Sequence, residues 1–372
     1  MRIVVLGGAG DMGSRAAREL GRAPEVEVLT VADRNLDRAR QVATAIGPRA
    51  QARPVDARDH AALTRLIAEH DVAVGAIGPF YLFEVRMARA AIEAGKPYVS
   101  ICDDYDAAQA VLELDSEARQ RGVTVLTGLG WTPGLSNVLA RKGVEMLDRA
   151  REVHIAWCGA SADSEGYAVV LHTMHIFTGR VPTFAGGTLR QVPAGSGRKV
   201  VTFPEPIGRV PVYHVGHPEP VTITRFIPGL QEVSLRGGLT EGFLNWLAVT
   251  VARLGLTATP GRKDALGRVI KPLLPVLEKV GKPARPLSAI HVEVRGEKDG
   301  RPARVELAAV DRMMNLTGVP LAIGALMLGR GQIRRPGVLA PEAEGAVPPD
   351  PFLEELAARG ITVHASPVQF SG

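Results

Sequence analysis

Near its amino terminus the chain reads, over residues 3–13, Ile-Val-Val-Leu-Gly-Gly-Ala-Gly-Asp-Met-Gly. The first four residues form an apolar run of strand length, and the glycines that follow turn the chain into a helix predicted over 12–20. Gly8, Gly10 and Gly13 have the spacing G-x-G-x-x-G. Between a strand and a helix, this spacing indicates a turn that binds a dinucleotide, and a glycine-rich turn without a ligand is the alternative.

Each glycine of this turn has its own physical reason. Gly8 permits the tight turn, Gly10 lets the backbone approach a pyrophosphate, and Gly13 lets the helix pack closely on the sheet. The helix start, with Asp11 and Met12, then presents backbone N–H groups and a partial positive charge to the phosphates. The turn therefore predicts a nicotinamide dinucleotide as cofactor. The acid at the end of the second strand, discussed below, favours NAD, with NADP possible.

The first third of the chain alternates strands and helices. Strands are predicted at 3–6, 26–32, 50–55, 72–77, 98–102 and 123–126, and helices at 12–20, 36–46, 60–69, 83–94 and 106–121. This rhythm predicts an α/β fold, a Rossmann doubly wound parallel sheet. In such a sheet the ligands lie beyond the carboxyl ends of the strands, so those ends are the places to search for functional residues.

Two acids at strand ends are candidates for the adenosine half of the cofactor. Asp33 lies 20 residues after Gly13, where a carboxylate accepts hydrogen bonds from both ribose hydroxyls and disfavours a 2′-phosphate. Arg34 follows directly and could accommodate that phosphate instead. Asp56 could bind the adenine amine. The alternative for both acids is that they cap the helices that follow.

The fourth strand ends in Gly78-Pro79, a stiff bend that could pass under the cofactor ribose. Tyr81 follows, and its hydroxyl could face a substrate or its ring could serve packing alone. We predict Gly78 and Pro79 as cofactor-binding residues and Tyr81 as a catalytic residue.

The fifth strand is followed by two adjacent acids, Asp103 and Asp104. Carboxylates at a ligand-binding edge can transfer a proton or bind a substrate ammonium, and we predict both as catalytic residues. The alternative is that Asp104 or Asp106 caps the next helix.

The sixth strand runs into a rigid turn, Gly128-Leu-Gly-Trp-Thr-Pro-Gly-Leu-Ser-Asn137, that leads to a helix predicted over 138–147. We predict Trp131, Pro133 and Gly134 as cofactor-binding residues near the nicotinamide. A turn that only carries the chain into a second domain is the alternative.

Composition narrows the function classes. A chain of 372 residues suggests two domains. The net charge of +5 comes from 44 basic and 39 acidic residues, but the arginines are scattered, so we expect no nucleic-acid partner. No apolar run is long enough to span a bilayer and no targeting segment is visible, so we expect no membrane partner and a cytoplasmic protein. The two cysteines fit a reducing compartment.

The rest of the chain predicts a mixed sheet with helices. Strands are predicted at 152–157, 221–227, 290–295 and 304–308, a helix at 243–254, and irregular structure over 335–351. His172, His175, His214 and His217 could be structural or could supply a base, and no metal-binding spacing surrounds them, so we expect no metal.

With these turns in place, the chain resembles the saccharopine dehydrogenase-like family. The resemblance rests on residues 5–13, on Asp33-Arg34-Asn35, and above all on residues 130–137, Gly-Trp-Thr-Pro-Gly-Leu-Ser-Asn. It implies a dinucleotide-binding Rossmann domain over 1–134, a substrate and dimerisation α/β domain over 135–315, and a helical segment over 316–372 that packs back on the first domain. It also implies a homodimer. The chain departs from the family pattern at Ser100, where many members carry an acid.

The resemblance implies an NAD(P)-dependent oxidoreductase that transfers a hydride at a C–N bond of an amino acid or related amine, like lysine 6-dehydrogenases or saccharopine dehydrogenases. A base must take the proton of the amine, and Asp103, Asp104 or a histidine of the second domain could serve. One alternative is reductive condensation of an amine with a keto acid or aldehyde, which should need a further arginine such as Arg225 or Arg236. The other is a non-catalytic NAD-binding regulator.

Overall fold

The structure is a computed structural model, and it describes residues 1–163, 167–277 and 285–370. The chain divides into two compact units. The first comprises Met1–Leu135 and Met314–Arg359, and the second comprises Ser136–Met313 and Gly360–Gly372.

The strands and helices are numbered in chain order. The strands are β1 (Arg2–Leu6), β2 (Val28–Asp33), β3 (Ala50–Pro54), β4 (Val72–Gly75), β5 (Tyr98–Ser100), β6 (Thr124–Leu126), β7 (Arg149–Gly159), β8 (Arg180–Ala185), β9 (Thr188–Pro193), β10 (Lys199–Phe203), β11 (Gly208–His214), β12 (Glu232–Leu239), β13 (Ser288–Lys298), β14 (Arg301–Asp311), β15 (Gly337–Leu339), β16 (Val363–Ala365) and β17 (Gln369–Phe370). The helices are α1 (Asp11–Leu20), α2 (Leu36–Ile46), α3 (His60–Ala68), α4 (Phe80–Glu93), α5 (Tyr105–Leu112), α6 (Asp115–Gln120), α7 (Leu135–Glu145), α8 (Tyr167–Ile176), α9 (Glu219–Phe226), α10 (Gly242–Arg253), α11 (Pro260–Leu277), α12 (Met313–Gly329) and α13 (Pro349–Ala357).

The first unit is built on a seven-stranded sheet with the order β15-β6-β5-β4-β1-β2-β3. All neighbouring strands are parallel. The central strand β1 is buried from Ile3 to Leu6, as expected for a parallel strand covered on both faces. The strand order reverses at β1 and β4, since β2 and β3 lie on one side and β4 to β6 on the other. The predicted α/β fold with a doubly wound parallel sheet is confirmed.

The seventh strand of this sheet comes from a stretch that we predicted to be irregular. Within 335–351, β15 pairs with β6 and sets Val338 opposite Val125. A three-residue strand is too short to show an alternating pattern. The preceding helix α12 is buried from Leu316 to Leu328, which explains why its sequence is apolar all round. Among the described residues, no helix combines the length and the apolar composition needed to cross a membrane.

The second unit contains a ten-stranded mixed sheet, in which the path β10-β11-β12-β7-β13-β14-β16 is joined at its sides by β8, β9 and β17. Strand β7 is parallel to β12 and antiparallel to β13. Val153 and Ile155 of β7 are buried, whereas His154 between them is only partly so. The predicted strands at 152–157, 290–295 and 304–308 are confirmed, and Asp299 and Gly300 turn the chain between the last two.

The strand predicted at 221–227 is wrong, because these residues lie mostly in the helix α9. Val221, Thr222, Ile223 and Thr224 are β-branched, which favoured the strand interpretation. Pro220 lies at the start of the helix, where proline's fixed φ is favourable. The buried side chains of Thr222 and Ile223 show that tertiary packing overrides the local strand propensity.

We predict that Gly13→Ala destabilises the first unit. A Cβ at this position would lie 2.3 Å from the carbonyl oxygen of Gly7, so α1 would have to move away from β1. Such overpacking costs about 1–3 kcal/mol. Urea denaturation measures the loss, and Gly10→Ala is the matched control, since its Cβ would lie 3.3 Å from the same oxygen. Equal stability of the two variants would contradict the close approach.

Candidate cofactor and acid–base site

The turn between β1 and α1 is closed by backbone hydrogen bonds. The N–H groups of Gly7 and Gly8 donate to the carbonyl oxygen of Ala32 at 2.8 and 3.2 Å, and the N–H of Gly10 donates to that of Gly7 at 3.0 Å. Gly7 has a φ of +81°, and a Cβ there would lie 2.5 Å from the carbonyl oxygen of Ala76. Only glycine fits this first position of the turn.

The start of α1 has the features of an anion site. Gly10 is the N-cap residue and makes no side-chain capping hydrogen bond, so the start of the helix can present its N–H groups and the positive end of its dipole to an anion. Asp11 and Met12 form the first turn and are half-buried. The Asp11 carboxylate receives a hydrogen bond from Arg38 of α2 at 3.1 Å, which offsets its negative charge beside the helix start.

Asp33 is not the cap of the next helix. Its carboxylate accepts hydrogen bonds from the N–H of Ala9, at 3.2 Å, and from that of Asn35, at 2.9 Å. The cap of α2 is Asn35, whose side chain accepts from the N–H of Arg38. Asp33 therefore links the end of β2 to the glycine turn, and Arg34 beside it is exposed.

Asp56 is not a helix cap either. It follows β3 and is exposed, and its carboxylate accepts a hydrogen bond from the N–H of Arg58 at 3.0 Å. Asp59 caps α3 through the N–H of Ala62. Exposure leaves Asp56 accessible to an adenine amine, and its predicted role stays a prediction.

Tyr81 and Asp104 lie together at the carboxyl edge of the sheet. Gly78 and Pro79 follow β4, and Pro79 is the N-cap residue of α4. The Tyr81 N–H, in the first turn of α4, donates to the Asp104 carboxylate at 2.9 Å. The start of a helix favours a negative charge, so α4 holds Asp104 at a place suited to its ionised form. Asp104 is fully buried and the neighbouring Asp103 is half-buried.

Asp104 also occupies the N-cap position of α5, but its side chain makes no capping hydrogen bond to that helix. Asp104 therefore occupies the cap position with its backbone, but its carboxylate does not cap α5. The carboxylate of Asp106 accepts from the N–H of Ala107 at 2.9 Å and is exposed.

A buried carboxyl group, Glu84 of α4, lies one turn further along the helix. It accepts hydrogen bonds from the hydroxyls of Ser100 at 2.5 Å, of Tyr98 at 3.0 Å and of Thr127 at 3.2 Å. Burial is the main cause that raises its pKa to about 7; the three hydroxyl donors oppose the rise and the nearby Asp104 adds to it. Glu84 therefore changes charge near neutral pH.

The turn after β6, like the turn between β1 and α1, is closed by backbone hydrogen bonds. The N–H of Gly130 donates to the carbonyl oxygen of Pro133 at 2.9 Å, and the N–H of Leu135 donates to that of Gly130 at 2.8 Å. Gly134 has a φ of +125°, and a Cβ there would lie 2.2 Å from the nitrogen of Gly130. Trp131 lies in this turn and is buried, with 6% of its surface exposed.

In the second unit, a cluster of rings and a buried acid surrounds the start of α9. Glu219 accepts a hydrogen bond from the hydroxyl of Ser136 at 2.8 Å and lies 3.7 Å from Nδ1 of His217. The His217 ring contacts Trp157 and His172, with centroids 5.5 and 5.2 Å away. Ser136 belongs to the Gly-Leu-Ser-Asn segment that ends the sixth-strand turn.

The other residues of the second unit that the sequence singled out have separate surroundings. His175 lies 2.5 Å from the amine of Lys263. Burial, with Arg236 as the second cause, lowers the pKa of His214 to about 4. Arg236 contacts His214 and is half-buried, and Arg225 lies over the ring of Phe226.

One group of side chains within the second unit could hold a metal ion. Oxygen and nitrogen atoms of Glu152, His154 and Glu232 lie within 4.8 Å of one another. The His154 ring is already engaged by Glu152 and by the Ser234 hydroxyl, at 3.0 and 2.9 Å, and Glu232 is exposed. We assign no metal to this group.

Sequence reasoning missed Glu84 and Arg38. Glu84 lies on a helix whose pattern gave no sign that this acid would point inward. Its signal was the set of hydroxyl residues within or directly after two predicted strands: Tyr98, Ser100 and Thr127. Arg38 lies in the first turn of the helix predicted over 36–46, four residues after Arg34, and a second cation so close to the end of the second strand could have drawn attention to it.

Comparison with known proteins adds independent information. The family model described as the saccharopine dehydrogenase NADP binding domain matches residues 3–126, and the one described as the saccharopine dehydrogenase C-terminal domain matches residues 130–361. The carboxyaminopropylagmatine dehydrogenase of Synechocystis sp. is 22% identical over 98% of this chain and 97% of its own length.

Two further proteins are similar in part or in fold. The saccharopine dehydrogenase [NADP(+), L-glutamate-forming] of Schizosaccharomyces pombe is 28% identical, over 43% of this chain and 34% of its own length. The solved apo structure of the L-Glu-forming saccharopine dehydrogenase from Saccharomyces cerevisiae has a TM-score of 0.70 at 18% identity and covers 98% of this chain and all of that one. At this identity the last similarity shows the fold.

We predict that Gly10→Val abolishes cofactor binding and leaves the fold intact. The φ and ψ of Gly10 are −72° and 168°, an extended conformation that valine adopts readily. Its side chain would fill the space that a pyrophosphate needs. Titration calorimetry with NAD and NADP measures the binding, and thermal melting checks the fold. A folded variant with unchanged affinity would count against the assignment of the turn.

We also predict a pH-dependent stability difference between Glu84→Gln and the wild type. Because the folded pKa of Glu84 is about 7 against an ordinary 4.5, the folded state binds the proton more tightly than the unfolded state. This contribution to stability is present below about pH 4.5 and is lost as the pH rises through about 7. Glutamine does not titrate.

The stability of Glu84→Gln relative to the wild type should therefore rise by on the order of 3 kcal/mol between pH 4.5 and pH 8. Urea denaturation of both proteins at several pH values measures this difference. A difference that stays constant over the range would show that Glu84 titrates normally.

Proposed function

Since the chain belongs to the saccharopine dehydrogenase family, we propose that it is an NAD(P)-dependent oxidoreductase that transfers a hydride at a C–N bond of an amino acid or related amine. The observation that carries the proposal is the hydrogen bond between Tyr81 and Asp104. It holds a buried acid at the carboxyl edge of the same parallel sheet whose first turn, Gly8 to Gly13, is shaped for a pyrophosphate.

The fit of the dinucleotide rests on the chain's own residues. The uncapped start of α1 at Gly10 would bind the phosphates through Asp11 and Met12, and Gly13 keeps the helix close to β1. Asp33 would bind the adenosine ribose and Asp56 the adenine. Gly78, Pro79, Trp131, Pro133 and Gly134 would border the nicotinamide half. When bound, the nicotinamide accepts or donates the hydride.

The choice between NAD and NADP depends on the end of β2. The Asp33 carboxylate favours NAD, because it would repel a 2′-phosphate. Arg34 and Arg38 are exposed next to it and are the residues that would receive that phosphate. We propose NAD as the preferred cofactor. A lower Kd for NADP than for NAD would contradict this and would indicate that these arginines bind the 2′-phosphate.

The proton of the reaction would be managed by the acids after β5. In the oxidative direction the amine must lose a proton before the hydride can leave, and a carboxylate near the reacting carbon can accept it. We propose Asp104 as this base, with Asp103 and the Tyr81 hydroxyl orienting the substrate amine. The hydrogen bond from the Tyr81 N–H supports the proposal, because it fixes the Asp104 carboxylate at the carboxyl edge of the sheet.

We propose that the second unit binds the substrate and forms a homodimer, with domain boundaries near 134 and 315. Of the last segment, only residues up to Arg359 belong to the first unit, because β16 and β17 pair with β14 in the sheet of the second unit. The amine substrates named for the Synechocystis and Schizosaccharomyces proteins support an amine substrate. A solution mass of twice 39.5 kDa would support the dimer, and a monomer mass would contradict it. The two buried cysteines, Cys102 and Cys158, suit the cytoplasm that we propose as its location.

Reductive condensation of an amine with a keto acid or aldehyde is the second candidate function. It is favoured by Arg236, a half-buried cation that forms no ion pair with any described residue and could bind a second carboxylate. A non-catalytic NAD-binding regulator is the third possibility.

A substrate panel separates these functions. The chain is assayed at 340 nm with amino acids and amines plus NAD or NADP, and with amines, reduced cofactor and 2-oxoglutarate or an aldehyde. Reduction of the nicotinamide by an amine supports oxidation at a C–N bond. Oxidation of the reduced cofactor that needs both co-substrates supports condensation. Cofactor binding without any turnover supports the regulator and contradicts the enzyme.

We predict that Asp104→Asn lowers kcat by about 10²–10⁴-fold and leaves the Kd of the cofactor within a few-fold, because asparagine cannot accept the proton. Steady-state assays and fluorescence titration of the reduced cofactor measure the two quantities. Asp106→Asn is the matched control, since Asp106 is exposed two residues away and should retain full activity. A fully active Asp104→Asn variant would exclude Asp104 as the base.

A further inference from the structure

The carboxyl group of Glu84 is the contact that joins three separate parts of the first unit. It lies on α4, which carries Tyr81 one turn earlier. Oε1 accepts hydrogen bonds from both Ser100, at the end of β5, and Thr127, directly after β6. The loops that begin at these two residues are the ones that carry Asp103–Asp104 and Gly128–Gly134.

The hydrogen bonds continue from Glu84 into these loops. The Ser100 hydroxyl, which donates to Glu84, also accepts from the N–H of Cys102 at 3.4 Å, the residue just before Asp103. The carbonyl oxygen of Ser100 accepts from the N–H of Leu129 at 2.6 Å. An ionised carboxylate has no proton to donate, so all three hydroxyls must donate to it and their orientation is fixed.

We propose that Glu84 is a positioning residue for the reaction. Its ionised carboxylate orients the hydroxyls of Ser100 and Thr127. Through them it holds the loop that carries Asp103 and Asp104, and the turn from Gly128 to Gly134, in the arrangement that hydride and proton transfer require. This inference rests on the proposed function, because it concerns the geometry of that same site.

Protonation of Glu84 would change this arrangement. A protonated carboxyl donates one hydrogen bond, so at least one of the three hydroxyls would have to reverse. The ionisable groups acting on Glu84 are Tyr98 from β5 and Cys102 and Asp104 from the following loop, and Asp103 acts in turn on Cys102. Burial raises the pKa of Tyr98 and of Cys102 far above the range of an assay, so neither of these two groups titrates near neutrality beside Glu84.

The positioning role predicts a specific pH profile. In the wild type, kcat for amine oxidation should fall as the pH drops below about 7, because protonated Glu84 releases one of the loops. In Glu84→Gln, kcat should be lower by about 100-fold, as expected for misplaced groups. The decline near pH 7 should be absent from its profile, and its cofactor Kd should stay within a few-fold of the wild type.

Isosteric removal of each hydroxyl separates positioning from simple stability. Ser100→Ala and Thr127→Val remove the hydroxyls that lead into the loops, so both should lower kcat, and Thr127→Ser should restore it. Tyr98→Phe removes a hydroxyl that donates to Oε2 of Glu84 and also interacts with Ser100, whereas Ser100 and Thr127 donate to Oε1, so kcat above pH 8 should fall less than in Ser100→Ala and Thr127→Val. Its decline should move to higher pH, because the charged form of Glu84 loses a donor.

The matched control is Glu19→Gln, the same substitution at another buried carboxyl of the first unit, which pairs with Arg15, Arg22 and Arg359. It should lower stability and leave the pH profile of kcat unchanged. A Glu84→Gln variant with wild-type kcat and a wild-type pH profile would overturn the inference. If that variant does not fold, wild-type profiles for both Ser100→Ala and Thr127→Val overturn it instead.

An assay of the wild type distinguishes failure of the proposed function from failure of the positioning role of Glu84. A wild type that binds the cofactor but oxidises and reduces no substrate contradicts the proposed function, and the positioning role with it. An active wild type whose rate is insensitive to Glu84 and to both loop hydroxyls contradicts the positioning role alone.

Discussion

The close approach of α1 to the end of β1 is the constraint on which the rest of the first unit depends. With a Cβ at residue 13 only 2.3 Å from the carbonyl oxygen of Gly7, the helix can start so near the sheet only because glycine stands there. That proximity aims the uncapped helix start at the carboxyl edge of the sheet. The same edge receives Asp33 from β2, Tyr81 from α4 and Asp104 from the loop after β5.

The charge state of the acidic side chains at this edge depends on their burial and on the hydrogen bonds that they accept. Asp33 accepts hydrogen bonds from two backbone N–H groups, and Asp104 accepts one from the Tyr81 N–H in the first turn of α4. Glu84 is fully buried and accepts hydrogen bonds from three hydroxyls. Burial favours the neutral form of an acid, whereas donors favour its charged form. For Glu84 the result is a pKa of about 7, so the charge of this group changes near neutral pH.

The sequence predicted the parallel sheet well, because strands such as β1 and β4 are buried on both faces and the helices between them have clear glycine stops. The same pattern identified Asp33, Tyr81 and Asp104, since strand ends can be read from the sequence. It misassigned α9, where β-branched residues are packed in a helix, and it overlooked the three-residue strand β15. Glu84 could not be predicted, because its surroundings come from two strands that only tertiary pairing brings next to α4.

The central claim is that the amino-terminal turn binds a nicotinamide dinucleotide. Isothermal titration calorimetry of the intact chain with NAD and with NADP tests it most directly. The account predicts saturable heat with one cofactor bound per chain for at least one of the two. Absence of binding heat for both nucleotides, over a range of temperatures, would contradict it.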